Sequence, residues 1–270
     1  MRSVPIFQVD AFSDERFRGN PAAVVMSHDP LDEALMQRIA AENNLAETAF
    51  LAPTSVQGCD FRIRWFTPTV EVDLCGHATL ASAHALRAHL GWVRERVTFA
   101  SNSGPLPVQL EDGGGITLDF PASNPVPLDD VPAGLSEALG AAPESVHSDW
   151  CWLAVFESAD DVLALSPDPA AVAALDTFAV IAAAPGPDGR DAPDFVSRFF
   201  APGAGVPEDP VTGSAHCVSA PFWARRLGRD RLVAEQWSAR RGRIELEIRA
   251  DRVLLSGDAV SVIAGELMLG

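Results

Sequence analysis

Two short strings of this 270-residue chain return in its second half at almost the same spacing, and they narrow the folds open to it. Phe66-Thr67-Pro68 comes back as Phe200-Ala201-Pro202, an offset of 134, and Gly76-His77-Ala78 comes back as Gly213-Ser214-Ala215, an offset of 137. The copies therefore differ by a three-residue insertion. Each pair of strings reads as the end of a strand followed by a glycine that opens a helix. The patterns around them also repeat in order. In the first half, residues 4–12, 21–26, 48–53 and 61–68 look like strands, and residues 31–44 carry Leu31, Leu35 and Ile39 at helical spacing. A helix over 77–90 follows, then strands over 97–101, 105–111 and 116–121, the last two joined through Gly113, Gly114 and Gly115. The second half repeats the scheme with a strand at 151–157, a helix at 168–176, strands at 178–184 and 194–202, a glycine-led helix, and strands to the end. Residues 121–134 hold four prolines and little periodicity, and read as the linker between the halves. The expectation is two structural repeats facing each other across a cleft.

Composition removes whole classes of function. Lys+Arg 20 against Asp+Glu 37 leaves a net charge of −17, a surface that repels phosphate backbones and anionic lipid headgroups, so neither nucleic acid nor membrane is expected as a partner. At 47% hydrophobic residues the chain is too apolar for disorder, yet no apolar run approaches the roughly 18 residues of a membrane span. No long apolar segment precedes Asp10, so a cytoplasmic location is expected. Every basic residue is arginine, and tyrosine is absent. Lysine Schiff bases, Walker-type phosphate lysines and phenolic acids are thereby excluded. Cys59, Cys75, Cys151 and Cys217 are spaced as neither metal knuckles nor a disulfide framework, and read as reduced thiols.

Proton chemistry is left to carboxylates, histidines and thiols. Each glycine-led helix start offers free N–H groups and a partial positive charge, so each is a candidate anion receptor, although any helix needs an opening. Glu47 lies after a helix at the mouth of an apolar strand, where partial removal from water suits a proton carrier; a solvated charge at a strand entry fits the same pattern. Asp209 precedes Pro210 four residues before Gly213, and turn formation would explain it equally well. His77, His84 and His89 fall on one predicted helix, too spread for one metal ion, and no zinc motif accompanies them, so no metal is expected. His77 at the helix start is the best placed of them to hold or donate a proton, whereas His216 and Cys217 read as interior.

The blocks VDAFSDERFRGNPAAVV, NNLAETAFL, FTPTVEVDLCGHATLASAHAL and FFAPGAGVPEDPVTGSAHCVSAPFWA, in this order, resemble the PhzF-like phenazine-biosynthesis isomerase family, within the wider diaminopimelate epimerase-like fold. The resemblance implies an α+β fold of two pseudo-symmetric domains, 1–121 and 122–270, each a mixed β-sheet curled around a central helix, with the last strand free to pack back on the first domain. It also implies a cofactor-independent isomerase, usually a homodimer, acting on a small anionic substrate such as trans-2,3-dihydro-3-hydroxyanthranilate. By the same mapping Glu47 moves the proton, His77 and Asp209 assist, and Asn20, Gly76, Gly213 and Ser214 bind substrate. Pro221 inside the second helix implies a short or kinked one. Epimerases of the wider fold use two opposed cysteines; here Cys75 stands at the first position and Thr212 at the second, which argues against a two-thiol racemase. A single-base epimerase or dehydratase using Cys75 or Glu47, or a non-catalytic dimeric binding protein, are the rival readings.

Overall fold

In the computed structural model, which describes residues 2–269, runs of strands are interspersed with helices. In chain order the elements are β1 Ser3–Ala11, β2 Asn20–Met26, α1 Glu33–Asn43, β3 Glu47–Pro53, β4 Phe61–Phe66, β5 Glu71–Val72, α2 Gly76–His89, β6 Arg96–Ser101, β7 Gly104–Leu110 and β8 Ile116–Pro121. There follow β9 Val126–Pro127, α3 Leu135–Leu139, β10 Ser145–Ser148, β11 Trp152–Val155, α4 Ala159–Ala164, α5 Pro169–Ala173, β12 Val180–Pro185, β13 Phe195–Ala201 and β14 Val206–Asp209. The chain closes with α6 Gly213–Leu227, β15 Arg231–Gln236, β16 Gly242–Arg249, β17 Arg252–Gly257 and β18 Ala259–Met268. Contacts divide the chain into one unit of Met1–Asp119 with Ser256–Gly270 and another of Phe120–Leu255. Within the first unit β18 pairs antiparallel with β1 along its whole length. No helix among the described residues is long and apolar enough to cross a membrane.

The two units repeat the same ladder, pairing for pairing. In the first, β1–β2 is antiparallel, β2–β3 parallel, β3–β4 and β4–β5 antiparallel, β4–β6 parallel and β6–β7 antiparallel. In the second, β10–β11 is antiparallel, β11–β12 parallel, β12–β13 and β13–β14 antiparallel, β13–β15 parallel and β15–β16 antiparallel. The parallel pairs demand crossovers: α1 supplies one in the first unit, α4 and α5 the corresponding one in the second, and α2 and α6 make the next. The fold is thus α+β and pseudo-symmetric, and the sequence echo has its counterpart in the backbone.

Each unit wraps its sheet around one helix. Nine of the 14 residues of α2 and ten of the 15 of α6 are buried, a pattern of helices covered on most sides. Small residues let the strands approach. Their hydroxyls are satisfied within the helix: Thr79 donates to the carbonyl of Cys75 (2.6 Å), Ser82 to Ala78 (2.7 Å) and Ser219 to Ala215 (3.0 Å). Of the two expectations for the second helix, short or kinked, the first is corrected: α6 continues through Pro221 for 15 residues. Proline there removes the N–H that would bond the Cys217 carbonyl, and the N–H of Ser123 takes its place at 2.9 Å. Ser123 belongs to the proline-rich stretch read as a linker, which is tied down instead. Ala122 N–H donates to Asp251, Leu128 N–H donates to Val146, and β9 pairs with β10.

Candidate active site

The first residues of three elements meet in the first unit. Asn20 opens β2, Glu47 opens β3, and Gly76 and His77 open α2. Parallel register sets Glu47 opposite Ala22, two residues along from Asn20. The chain reaches Asn20 through Gly19, whose φ of +65° and the Ala11 carbonyl oxygen 2.2 Å from where a Cβ would stand admit no side chain.

His77 is the hub of this group. Its Nδ1 lies 3.3 Å from Asn20 Nδ2 and 3.5 Å from Cys75 Sγ, and its Nε2 lies 3.1 Å from Glu47 Oε2. In its neutral form the ring accepts from the Asn20 amide at Nδ1 and carries its proton on Nε2, facing the carboxylate; the imidazolium carries one on each nitrogen. The His77–Glu47 contact has ion-pair distance without hydrogen-bond alignment, so the carboxylate is not locked to the ring. The His77 side chain is 7% exposed and that of Glu47 19%, so the pair is withdrawn from water while the carboxylate keeps some access. Burial disfavours a charged His77, but its hydrogen-bonding and electrostatic partners Cys75 and Glu47 outweigh it and raise its pKa well above the usual 6.5. Burial, and then the Glu47 carboxylate, push the Cys75 thiol up, which keeps it protonated.

Glu47, Cys75 and His77 place ligand-type atoms within 4.8 Å of one another. That spread exceeds the roughly 3.5 Å ligand separation implied by zinc bond lengths, and the sulfur and the carboxylate address opposite nitrogens of one ring. This is a better arrangement for passing a proton than for holding an ion. Cys75, the N-cap of α2, makes no side-chain cap bond, whereas Asp32, Ser158 and Asp168 cap α1, α4 and α5. The α2 start is therefore open to an anion.

The second unit builds a corresponding start without a histidine. Thr212, the N-cap of α6, also leaves its helix uncapped, and its hydroxyl instead donates to Asp209 Oδ2 at 2.5 Å. Gln236, fully buried at the end of β15, fixes the turn: its Oε1 accepts from Thr212 N–H (2.8 Å) and its Nε2 donates to the Asp209 carbonyl (2.7 Å). Gly213 is buried and Ser214 exposed. Thus Asn20, Glu47, Gly76 and His77 gather in one unit, and Asp209, Gly213 and Ser214 in the other. Gln236 and Cys75 are additional members of these groups. His84 and His89 stand at the far end of α2, both on the Ser261 hydroxyl at 2.9 and 2.7 Å. His216 is buried beside Phe195 and bonds the Thr212 carbonyl through Nδ1; burial lowers its pKa to about 4.

The sequence pattern of the family described as phenazine biosynthesis-like protein matches residues 9–265. An uncharacterized isomerase of Pseudomonas aeruginosa is 48% identical over 264 residues, covering 98% of each chain. A crystal structure of a PhzF-family phenazine biosynthesis protein from Enterococcus faecalis superposes with a TM-score of 0.93 at 40% identity, over 99% of this chain and all of that one. A hydroxyproline epimerase from Agrobacterium vitis shares the fold alone, with a TM-score of 0.60 at 11% identity over 98% of this chain and 92% of that one.

Proposed function

The chain belongs to the phenazine biosynthesis-like (PhzF) family, and from that premise we propose that it is a cofactor-independent isomerase that moves a proton within a small carboxylate-bearing substrate. The observation that carries the reading is the Glu47 carboxylate, partly withdrawn from water and 3.1 Å from His77 Nε2 at an uncapped helix start. Glu47 removes a proton next to an activating group and returns it at another carbon. His77 faces the carboxylate at ion-pair distance with a proton on Nε2, while the first-turn N–H groups of α2, Gly76 among them, bind the substrate carboxylate. Asn20 sets the histidine tautomer and contacts substrate. At the second helix start Asp209 assists and Gly213 and Ser214 bind substrate, with Thr212 and Gln236 holding Asp209. An acidic surface makes such local positive sites necessary for an anionic ligand. The active form is a cytoplasmic homodimer, a state that sedimentation of the purified protein measures.

The substrate to try first is trans-2,3-dihydro-3-hydroxyanthranilate. Turnover in deuterium oxide, read by mass spectrometry at early conversion, should place clearly less than one deuterium per product at the receiving carbon, because one carboxylate returns the proton it took. Full incorporation from the first turnover would overturn Glu47 as the sole shuttle. The 3.5 Å contact of Cys75 with His77 favours the single-base epimerase as second reading. Loss of activity on thiol alkylation or in Cys75→Ala, with Glu47→Gln still active, would establish it instead.

A further inference from the structure

The sequence offsets that relate the two helix starts also relate two arginine–glutamate pairs. Arg64 and Arg198 are 134 apart, like Phe66 and Phe200; Glu71 and Glu208 are 137 apart, like Gly76 and Gly213. The insertion falls between the partners, yet both pairs close with the same atoms. Arg64 Nε and Nη2 donate to Glu71 Oε1 and Oε2 at 2.7 and 2.6 Å; Arg198 Nε and Nη2 donate to Glu208 Oε1 and Oε2 at 2.8 and 3.0 Å. Each guanidinium also lies over the phenylalanine two residues on, 5.2 Å from the Phe66 ring centre and 5.0 Å from that of Phe200. Each reaches back to the crossover helix before its strand: Arg64 to Glu33 of α1, and Arg198 to the carbonyls of Val162 and Leu165 at the end of α4. A forked, part-buried pair has a fixed geometry that a point charge lacks.

The segments these clasps hold are the ones that deliver the helix starts. The first ties β4 to β5, four residues before Cys75; the second ties β13 to β14, where Glu208 immediately precedes Asp209. Between the partners the chain turns tightly, through Thr67 N–H on the Val70 carbonyl in one unit and Gly205 N–H on that of Pro202 in the other. We propose that Arg64–Glu71 and Arg198–Glu208 are paired positioning clasps, one per repeat, that set the aim of His77 and Asp209 without touching substrate. In assigning the clasps to the helix-start groups, this inference rests on the isomerase reading above.

The test uses Glu208→Gln, Arg198→Lys and their combination in the full chain, with Glu247→Gln, which alters an exposed pair with Arg249, as control. Turnover of trans-2,3-dihydro-3-hydroxyanthranilate should fall at least about tenfold in kcat in each single variant while KM changes less than about threefold. The combined variant should lose no more than the worse single one, because both break one clasp. Amide hydrogen exchange over residues 202–214 should quicken in all three and stay unchanged in the control. Wild-type kcat in Arg198→Lys, additive losses in the combination, or exchange that quickens evenly across residues 120–255 would overturn the proposal. If the wild type does not turn over this compound, the isomerase reading fails for that substrate, and exchange over 202–214 alone decides the clasp.

Discussion

The backbone N–H of Ser123 donates to the carbonyl of Cys217, the carbonyl that Pro221 leaves without its helical partner. Proline in a helix interior costs about 3 kcal/mol, part of it through that lost bond, and an acceptor buried without a donor costs about 1–3 kcal/mol. One amide from the stretch after β8 therefore helps α6 to run from its glycine start to its end in one piece.

Ser123→Pro should destabilise the protein by about 1–3 kcal/mol, measured by urea unfolding. In a Pro221→Ala background the restored helical N–H supplies Cys217, so the same change should cost clearly less. An equal cost in both backgrounds would mean that the Ser123 bond does not serve the proline.

Glu47→Gln should lower turnover at least about a hundredfold with little change in melting temperature, because a half-buried carboxylate at a strand start is placed for proton transfer and contributes little to the core. It should also lower the pKa of His77. That pKa lies above 6.5 in the folded protein, so imidazolium contributes stability that is fully present below the unfolded value and lost as pH rises through the folded one. Nitrogen-15 NMR of the His77 ring reads the change directly, and an unmoved titration would separate the two side chains.

What the sequence discloses follows the range of the interaction. Periodicity and glycine placement locate α2 to within a residue, since it begins at Gly76 and not His77, and the offsets of 134 and 137 foretell the repeated ladder. Asn20, Glu47, Gly76 and His77 can be named from their blocks, but only the parallel β2–β3 register and the contacts of His77 with both strands bring them to one place. Gln236 carries no local signal: a glutamine ending a strand is ordinary until its amide is seen to bridge Thr212 and Asp209, 24 and 27 residues away. The clasps were findable, because the same two offsets applied to charged residues pick out all four partners. Pro221 misleads because its remedy, Ser123, lies 98 residues away in a segment that looks unstructured.

Gly19→Ala should destabilise by about 1–3 kcal/mol, since φ of +65° is strained for any side chain and the new Cβ would meet the Ala11 carbonyl. It should also displace Asn20, so the His77 ring signals should shift even where the protein remains folded. Wild-type stability with unchanged ring signals would show that the turn before β2 is not what places Asn20.

The stability of the Arg64–Glu71 clasp should depend on pH in a stated direction. Hydrogen bonding from Arg64 holds the Glu71 carboxyl below its ordinary 4.5, so the pair contributes stability that is present above that value and lost as pH falls through the lowered one. Glu71→Gln should melt below wild type by a constant margin above pH about 6, and the margin should close on strong acidification. A margin that persists at the lowest pH would assign the loss to packing.

Cys75→Ala should keep most of the isomerase activity. The thiol is buried, its pKa is raised by that burial and then by the Glu47 carboxylate, and a protonated thiol is a poor base. In place of a second thiol the α6 start holds Thr212, whose hydroxyl is already committed to Asp209. Yet the sulfur touches His77 Nδ1, so its removal should perturb the ring's titration without abolishing turnover. The measurement is a pH profile of kcat for wild type and Cys75→Ala on trans-2,3-dihydro-3-hydroxyanthranilate. The profile should move along the pH axis while its maximum stays within about threefold, because proton transfer by a separate base typically accounts for a hundredfold or more. A maximum lowered by that larger factor, with activity retained in Glu47→Gln, would make Cys75 the base and His77 its partner.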